Sequence, residues 1–263
     1  MERSSVVRGW AVAFIVLMAS AVSAADGGTP LPPNLTGRWA MVQVMPAIAS
    51  LPFFGDVELT TIATALVDIE QQGTYLTLHN VYCFTDIQMD PPVVETHVPE
   101  RFVSSLQPTS RTASLEETEG GWSFFEPSVT EVRGAVLADP EHDALPVDAL
   151  DPRVVDQDSD GHPGMTVQVA VAGLVAGDTY VVQRLQFSLA GRVVGPDTIA
   201  GSIAWSSEQN VLAASDDLLR MPTTYRPHPD AARHVFVMRR VDDAWTCETT
   251  RERLPSLLNS VLP

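Results

Sequence analysis

Positive charge is scarce in this chain. Sixteen Lys and Arg stand against 33 Asp and Glu, a formal net charge of −17. So acidic a surface repels phosphate backbones and anionic lipid. It excludes nucleic acid and membrane insertion and favours cations. Long apolar runs are also missing. The longest, from Trp10 to Val22, is too short to cross about 30 Å of hydrocarbon as a helix. Catalytic signatures are missing too: neither Gly-x-Ser-x-Gly nor His-Glu-x-x-His occurs. Ser206-Ser207-Glu208 has no nucleophile-elbow context. The six histidines do not cluster, so none is assignable as a base, and His142 and His162 are isolated from any zinc-ligand spacing. No catalytic set is assigned; a non-enzymatic reading is favoured and the question of activity stays open.

Cysteine is limited to Cys83 and Cys247. The N-terminus says which chemistry to expect of them. Arg3 and Arg8 precede the apolar run, and Val22-Ser23-Ala24 places small residues for cleavage after Ala24. That is the pattern of a secretory signal peptide over residues 1–24. A secreted or periplasmic location makes a lone cysteine pair a disulfide, here between an early strand and the last one.

What is present reads as β structure. Residues 25–36 form a Gly/Pro-rich flexible leader, and 37–248 a single β domain. Strands are expected at Gly37–Val44, Thr60–Gln71 and Tyr75–Tyr82, the last two around Gln72-Gly73. Met45–Gly55 reads as a covering connection or short helical turn, and Ile87–Pro99 as loop or irregular edge. Phe102–Leu115 and Trp122–Leu137 read as further strands. After the loop the alternation is clearest: Leu185, Phe187 and Leu189 share one face, with Arg184, Gln186 and Ser188 on the other. Ser215 is expected to cap a short helix through Arg220. His234–Val241 reads as the last strand, and residues 249–263 as a tail or short helix containing Pro255.

Between the two β-rich halves lies an acidic, proline-broken loop, residues 139–164. It ends in Asp156-Gln157-Asp158-Ser159-Asp160-Gly161-His162. Carboxylates at i, i+2 and i+4, closed by glycine, let a short loop wrap a hard cation. The twelfth position from Asp156 is Val167 rather than Glu, so the loop is not an EF-hand. It resembles the D-x-D-x-D-G calcium loops of thrombospondin type 3 repeats. The resemblance implies a structural Ca²⁺ on Asp156, Asp158 and Asp160; a backbone carbonyl near His162 would add an oxygen, and Asp151 or Asp148 would supply further charge.

Leu35-Thr36-Gly37-Arg38-Trp39 on the first strand, with Arg239 or Arg240 on the last, resembles the lipocalin pattern. That resemblance implies an arginine packed across Trp39 to close a barrel base, and a cup for a small apolar ligand. The expected architecture is an all-β, lipocalin-like antiparallel barrel, with a β-sandwich as the alternative. The expected function is a monomeric binding protein for a small or apolar ligand, with Val169, Leu185, Phe187 and Ile203 facing the cavity. A surface interaction module, its loop stiffened by Ca²⁺, and a Ca²⁺-dependent hydrolase are the competing readings.

Overall fold

The computed structural model describes residues 31–51, 54–171, 173–220 and 224–259. The signal peptide read at 1–24, most of the leader and the last residues of the tail lie outside them. The strands are β1 (Gly37–Leu51), β2 (Gly55–Gln72), β3 (Tyr75–Asp90), β4 (Val94–His97), β5 (Thr109–Thr118), β6 (Gly121–Arg133), β7 (Met165–Val171), β8 (Val175–Gly195), β9 (Thr198–Ala214), β10 (Thr224–Pro227) and β11 (Val235–Arg240). The helices are α1 (Glu100–Ser105) and α2 (Cys247–Leu258).

The fold is all-β, as expected, and its 11 strands form one antiparallel sheet rather than two facing ones. The sheet closes on itself in the order β1-β2-β3-β5-β6-β8-β9-β11 and back to β1. β4 and β7 form a second path between β3 and β8, and β10 extends the β1 edge beside β11. Closure turns one face of every strand inward, and at one end of the ring that face is apolar. The alternating residues Trp39, Met41, Val67, Ile69, Leu76, Leu78, Leu189, Ile199, Phe236 and Met238 supply it and form the main core. Phe124 and Phe236 meet there with ring centroids 6.0 Å apart.

Two bulges change which residues face inward. On β3, Ala65 pairs with Tyr82 and Thr64 with Phe84, so Cys83 has no partner on β2. Before it Leu78 and Tyr82 point inward; after it Thr85 and Ile87 do. On β6 the register shifts between Glu126 and Val129. An extra residue in a strand reverses the phase of everything beyond it.

Several local expectations are corrected. Met45–Gly55 is not a connection: β1 runs on through Pro46 to Leu51, paired along its length with β2. Pro46 lacks an N–H, yet its carbonyl accepts from His228 N at 3.0 Å. Ile87–Pro99 contains the end of β3 and all of β4. Phe102 begins no strand. Phe102 and Val103 are adjacent and both buried, which a helical turn allows and an alternating strand does not. Phe102 N and Val103 N both donate to Pro99 O. The turn at Asp217–Arg220 is 3₁₀ and is capped by Asp216, which accepts from Leu218 N, rather than by Ser215. Cys247 opens α2 instead of lying on the last strand, with Thr246 Oγ1 accepting from Thr249 N as N-cap. The Cys83–Cys247 disulfide therefore ties the β3 bulge to a helix, with Cα atoms 4.9 Å apart. α2 packs Leu254 and Leu257 on the outer face of Val42, Ile62 and Val237. β1 is consequently buried on both sides.

Candidate ligand cavity and metal centre

The inward columns that fill the core do not fill the whole ring. Following β1 from Trp39 and Met41, the same face continues as Gln43, Met45, Ala47 and Leu51, and these line a cavity of about 210 Å³. β2 repeats the change from Ile69, Val67 and Ala65 to Ala63, Thr61 and Leu59. β9 repeats it from Ile199 and Ile203 to Trp205, Ser207 and Gln209. Phe102 and Leu106, with Val94, Thr96 and Val98 leading into α1, form another wall. Of the four residues expected to face a ligand, Val169, Leu185 and Phe187 line the cavity. Ile203 sits in the packed core, 3 % exposed.

Between the packed core and the cavity lies a charged layer that the sequence reading missed. Arg111 on β5 is 6 % exposed and Glu126 on β6 is 1 % exposed. Arg111 Nη1 lies 3.4 Å from Glu126 Oε1, and its Nη2 donates to Tyr82 Oη and to Glu131 Oε1. The Tyr82 hydroxyl donates to Glu131 Oε1 as well. Arg133 Nη2 donates to Glu131 Oε2 at 2.9 Å, and its Nη1 to Gln183 Oε1 at 3.3 Å. The Arg111 guanidinium also sits 4.7 Å from the Phe187 ring centroid.

Burial pushes the Tyr82 hydroxyl up to about 12, helped by the Glu131 charge. Burial also raises the Glu126 carboxyl, against the pull of Arg111. Glu131 is desolvated too, but Arg133 and Arg111 outweigh that and hold its carboxyl below the usual range. Two groups stay unpartnered: Glu126 Oε2 and Arg133 Nε. Arg133, Tyr82 and Gln183 line the cavity, so this layer is its polar floor.

The acidic loop is folded against the sheet. Val136 N donates to Arg153 O and Val155 N to Gly134 O, and Leu137 and Leu145 pack on Val182 and Leu212. Its end is a tight coil: Asp156 Oδ1 accepts from Asp160 N at 3.0 Å and Oδ2 from Gly161 N at 2.9 Å. Gly161 has φ +88° and Gly164 φ +84°, left-handed angles that glycine adopts freely. At Gly164 a Cβ would also lie 2.4 Å from Val181 O, so the coil can seat on β8 only through glycine there.

The coil brings Asp156, Asp158 and Asp160 together, with a ligand oxygen from each within 4.8 Å of the others. These three could hold a metal ion. The donors are hard oxygens, and Asp158 Oδ1 is buried without a hydrogen-bond partner. Desolvation and the Asp160 charge raise the Asp158 carboxyl. Burial pushes Asp160 the same way, but Thr166 Oγ1 and His162 N outweigh it, so its carboxyl is held low. Arg101 of α1 reaches in from the side, Nη2 3.2 Å from Asp160 Oδ2 and Nε 3.8 Å from Asp158 Oδ2.

Asp151 does not join this group. It places both oxygens on Arg153, at 3.0 and 2.7 Å, which lowers its carboxyl to about 2. The His162 ring stacks on Tyr180 with centroids 4.2 Å apart, and its backbone N donates to Asp160 Oδ1. At the far end of the ring, Trp39 pairs with Arg240 across β1 and β11, and the Arg240 guanidinium lies 4.5 Å from the indole centroid. Arg240 also donates to Thr36 O and Asn34 O. Arg239 points elsewhere, to Thr198 Oγ1.

Compared with family models, curated proteins and solved structures, the chain matches none.

Proposed function

We propose that this is a secreted binding protein for a small, mainly apolar molecule with a polar end, stabilised by one Ca²⁺. The observation that carries this is the change, along single strand faces, from packed core to open cavity. Its walls are Met45, Leu59, Ile87, Val169 and Leu185, and its floor offers Arg133, Tyr82 and Gln183. Pockets for drug-sized ligands commonly measure about 300–1,000 Å³, so the occupant here is smaller. The strand ring and the Arg240–Trp39 stack support a lipocalin-like reading. An interaction module would call for a filled interior, so the cavity favours the binding reading over it.

Ca²⁺ is the cation the loop suits best, because three convergent carboxylates match its oxygen preference. The Cys83–Cys247 disulfide agrees with an oxidising, calcium-rich compartment.

The test of the cavity is titration with a neutral apolar fluorophore, N-phenyl-1-naphthylamine. Wild type should show saturable binding. Leu185→Trp, which fills the space, should lose it by roughly tenfold or more, about 1.4 kcal/mol, with folding intact by circular dichroism. Equal binding by both proteins overturns the site. For the ion, Ca²⁺ at about 100 Kd should raise the unfolding free energy by about 2.7 kcal/mol over EDTA. Asp158→Ala should lose that gain. An unmoved melting point removes Ca²⁺ from the account.

A further inference from the structure

The cavity and the aspartate coil share one element. α1 and its C-cap place Phe102 and Leu106 in the cavity wall, and Arg101 of α1 ion-pairs with Asp158 and Asp160. Six residues make too short a helix to hold itself. It has no side-chain N-cap bond. Besides the burial of Phe102 and Val103, it is held by two ion pairs: Glu100 with Arg251 of α2, and Arg101 with the coil. Arg251 belongs to the helix fixed by the disulfide, so that tether is anchored to β3. The Arg101 tether rests on carboxylates that have another use.

A cation bound by Asp156, Asp158 and Asp160 must draw oxygens from the two residues Arg101 now contacts. Asp158 Oδ1 already waits there without a hydrogen-bond partner, on a side chain 0 % exposed whose Oδ2 faces Thr166 N and Arg101. A guanidinium and a divalent ion repel at such separations. Arg101 is 54 % exposed, so it can leave for water at small cost.

We propose that a divalent cation and Arg101 compete for Asp158 and Asp160, so that cation binding stiffens the coil while unlatching α1 and loosening the cavity wall it carries. The ion thus acts as a gate on the ligand site as well as a clasp. The second half of this statement rests on the cavity being a ligand site; the first half does not.

Hydrogen exchange on the full chain, in Ca²⁺ and in EDTA, reads the latch without any ligand. Ca²⁺ should slow exchange across residues 157–166. It should speed exchange of the Phe102, Val103 and Leu106 amides by roughly two- to fivefold, the range of an exposed ion pair. In Arg101→Gln those amides should exchange fast in EDTA, Ca²⁺ should no longer change them, and the variant should bind Ca²⁺ more tightly. A merely structural Arg101 would not shift Ca²⁺ affinity upward. Stopped-flow entry of N-phenyl-1-naphthylamine should be faster with Ca²⁺ in wild type and insensitive to it in Arg101→Gln.

The latch is overturned if Ca²⁺ leaves 157–166 unprotected, or protects 157–166 while slowing or not moving the α1 amides. Should α1 loosen as expected while no fluorophore binds, the latch stands and the binding reading falls. If the fluorophore binds at one rate in both conditions and α1 is silent, the latch falls and the binding reading stands.

Discussion

The two ends of the strand ring are built from the same columns of residues and behave differently. At one end Trp39, Ile199, Leu189 and Phe236 interlock around buried aromatic rings. At the other, Met45, Ile87, Val169 and Gln209 leave open space. Along single strand faces the inward residues pass from apolar ones to a mixture that includes Gln43, Thr61, Ser207 and Gln209, and a charged layer lies between. Arg111, Glu126, Glu131 and Arg133 lie where the two meet. A desolvated ion network fixes geometry without filling volume. It separates a packed interior on one side from a hollow one on the other.

The contrast can be broken at three points, from the largest effect to the smallest. Truncation should separate the ends most. Phe236→Ala, in the packed end, should cost about 3–5 kcal/mol, because its cavity is new. Leu185→Ala, beside space that already exists, should cost about 1–2 kcal/mol, since mainly the transfer term is lost. Urea unfolding measures both; equal losses would mean that the two ends are packed alike.

The charged layer comes next. Arg111→Met strands Glu126 in a desolvated site, while Glu131 keeps Arg133 and Tyr82, and should cost about 3 kcal/mol. Adding Glu126→Gln to it should recover part of that loss. If the double variant is as unstable as the single one, Glu126 is not coupled to Arg111.

The smallest effect is in pH. Burial raises the Glu126 carboxyl in the folded state, so its proton favours folding. That contribution is present below the ordinary glutamate range and fades as pH climbs through the raised value. Glu126→Gln removes the fade. Its melting point should therefore match or exceed wild type at neutral pH and lose any advantage at acidic pH. A variant less stable than wild type at neutral pH and level with it in acid has the opposite sign and would show that ionised Glu126 stabilises the fold.

How much of this was legible follows from where phase is kept. Along β8, Leu185, Phe187 and Leu189 alternate without interruption, and their inward direction was readable. So was the convergence of Asp156, Asp158 and Asp160, because it is local. Glu131 and Arg133 were not. Strict alternation from Phe124 sends them outward, and only the bulge after Glu126 turns them in. Arg111 did leave a trace, since it keeps the parity of the buried Ala113 and Leu115. Phe102 was misread because a pair of apolar residues after proline suits a strand as well as a turn. Arg101 could not be assigned to the coil, since its partners lie more than fifty residues away and meet it only through folding.

Ring closure bears on how copies of this chain behave toward one another. An open sheet presents bare N–H and C=O rows that recruit a neighbour's strand. Here β4 and β7 are each flanked on both sides, and among the described strands only β10 has a single partner. β10 has four residues, ends in Pro227, and carries Arg226 paired to Asp56. A proline and a charge on so brief an edge offer little for strand addition. Among the described strands, the backbone thus offers a neighbouring copy little to pair with.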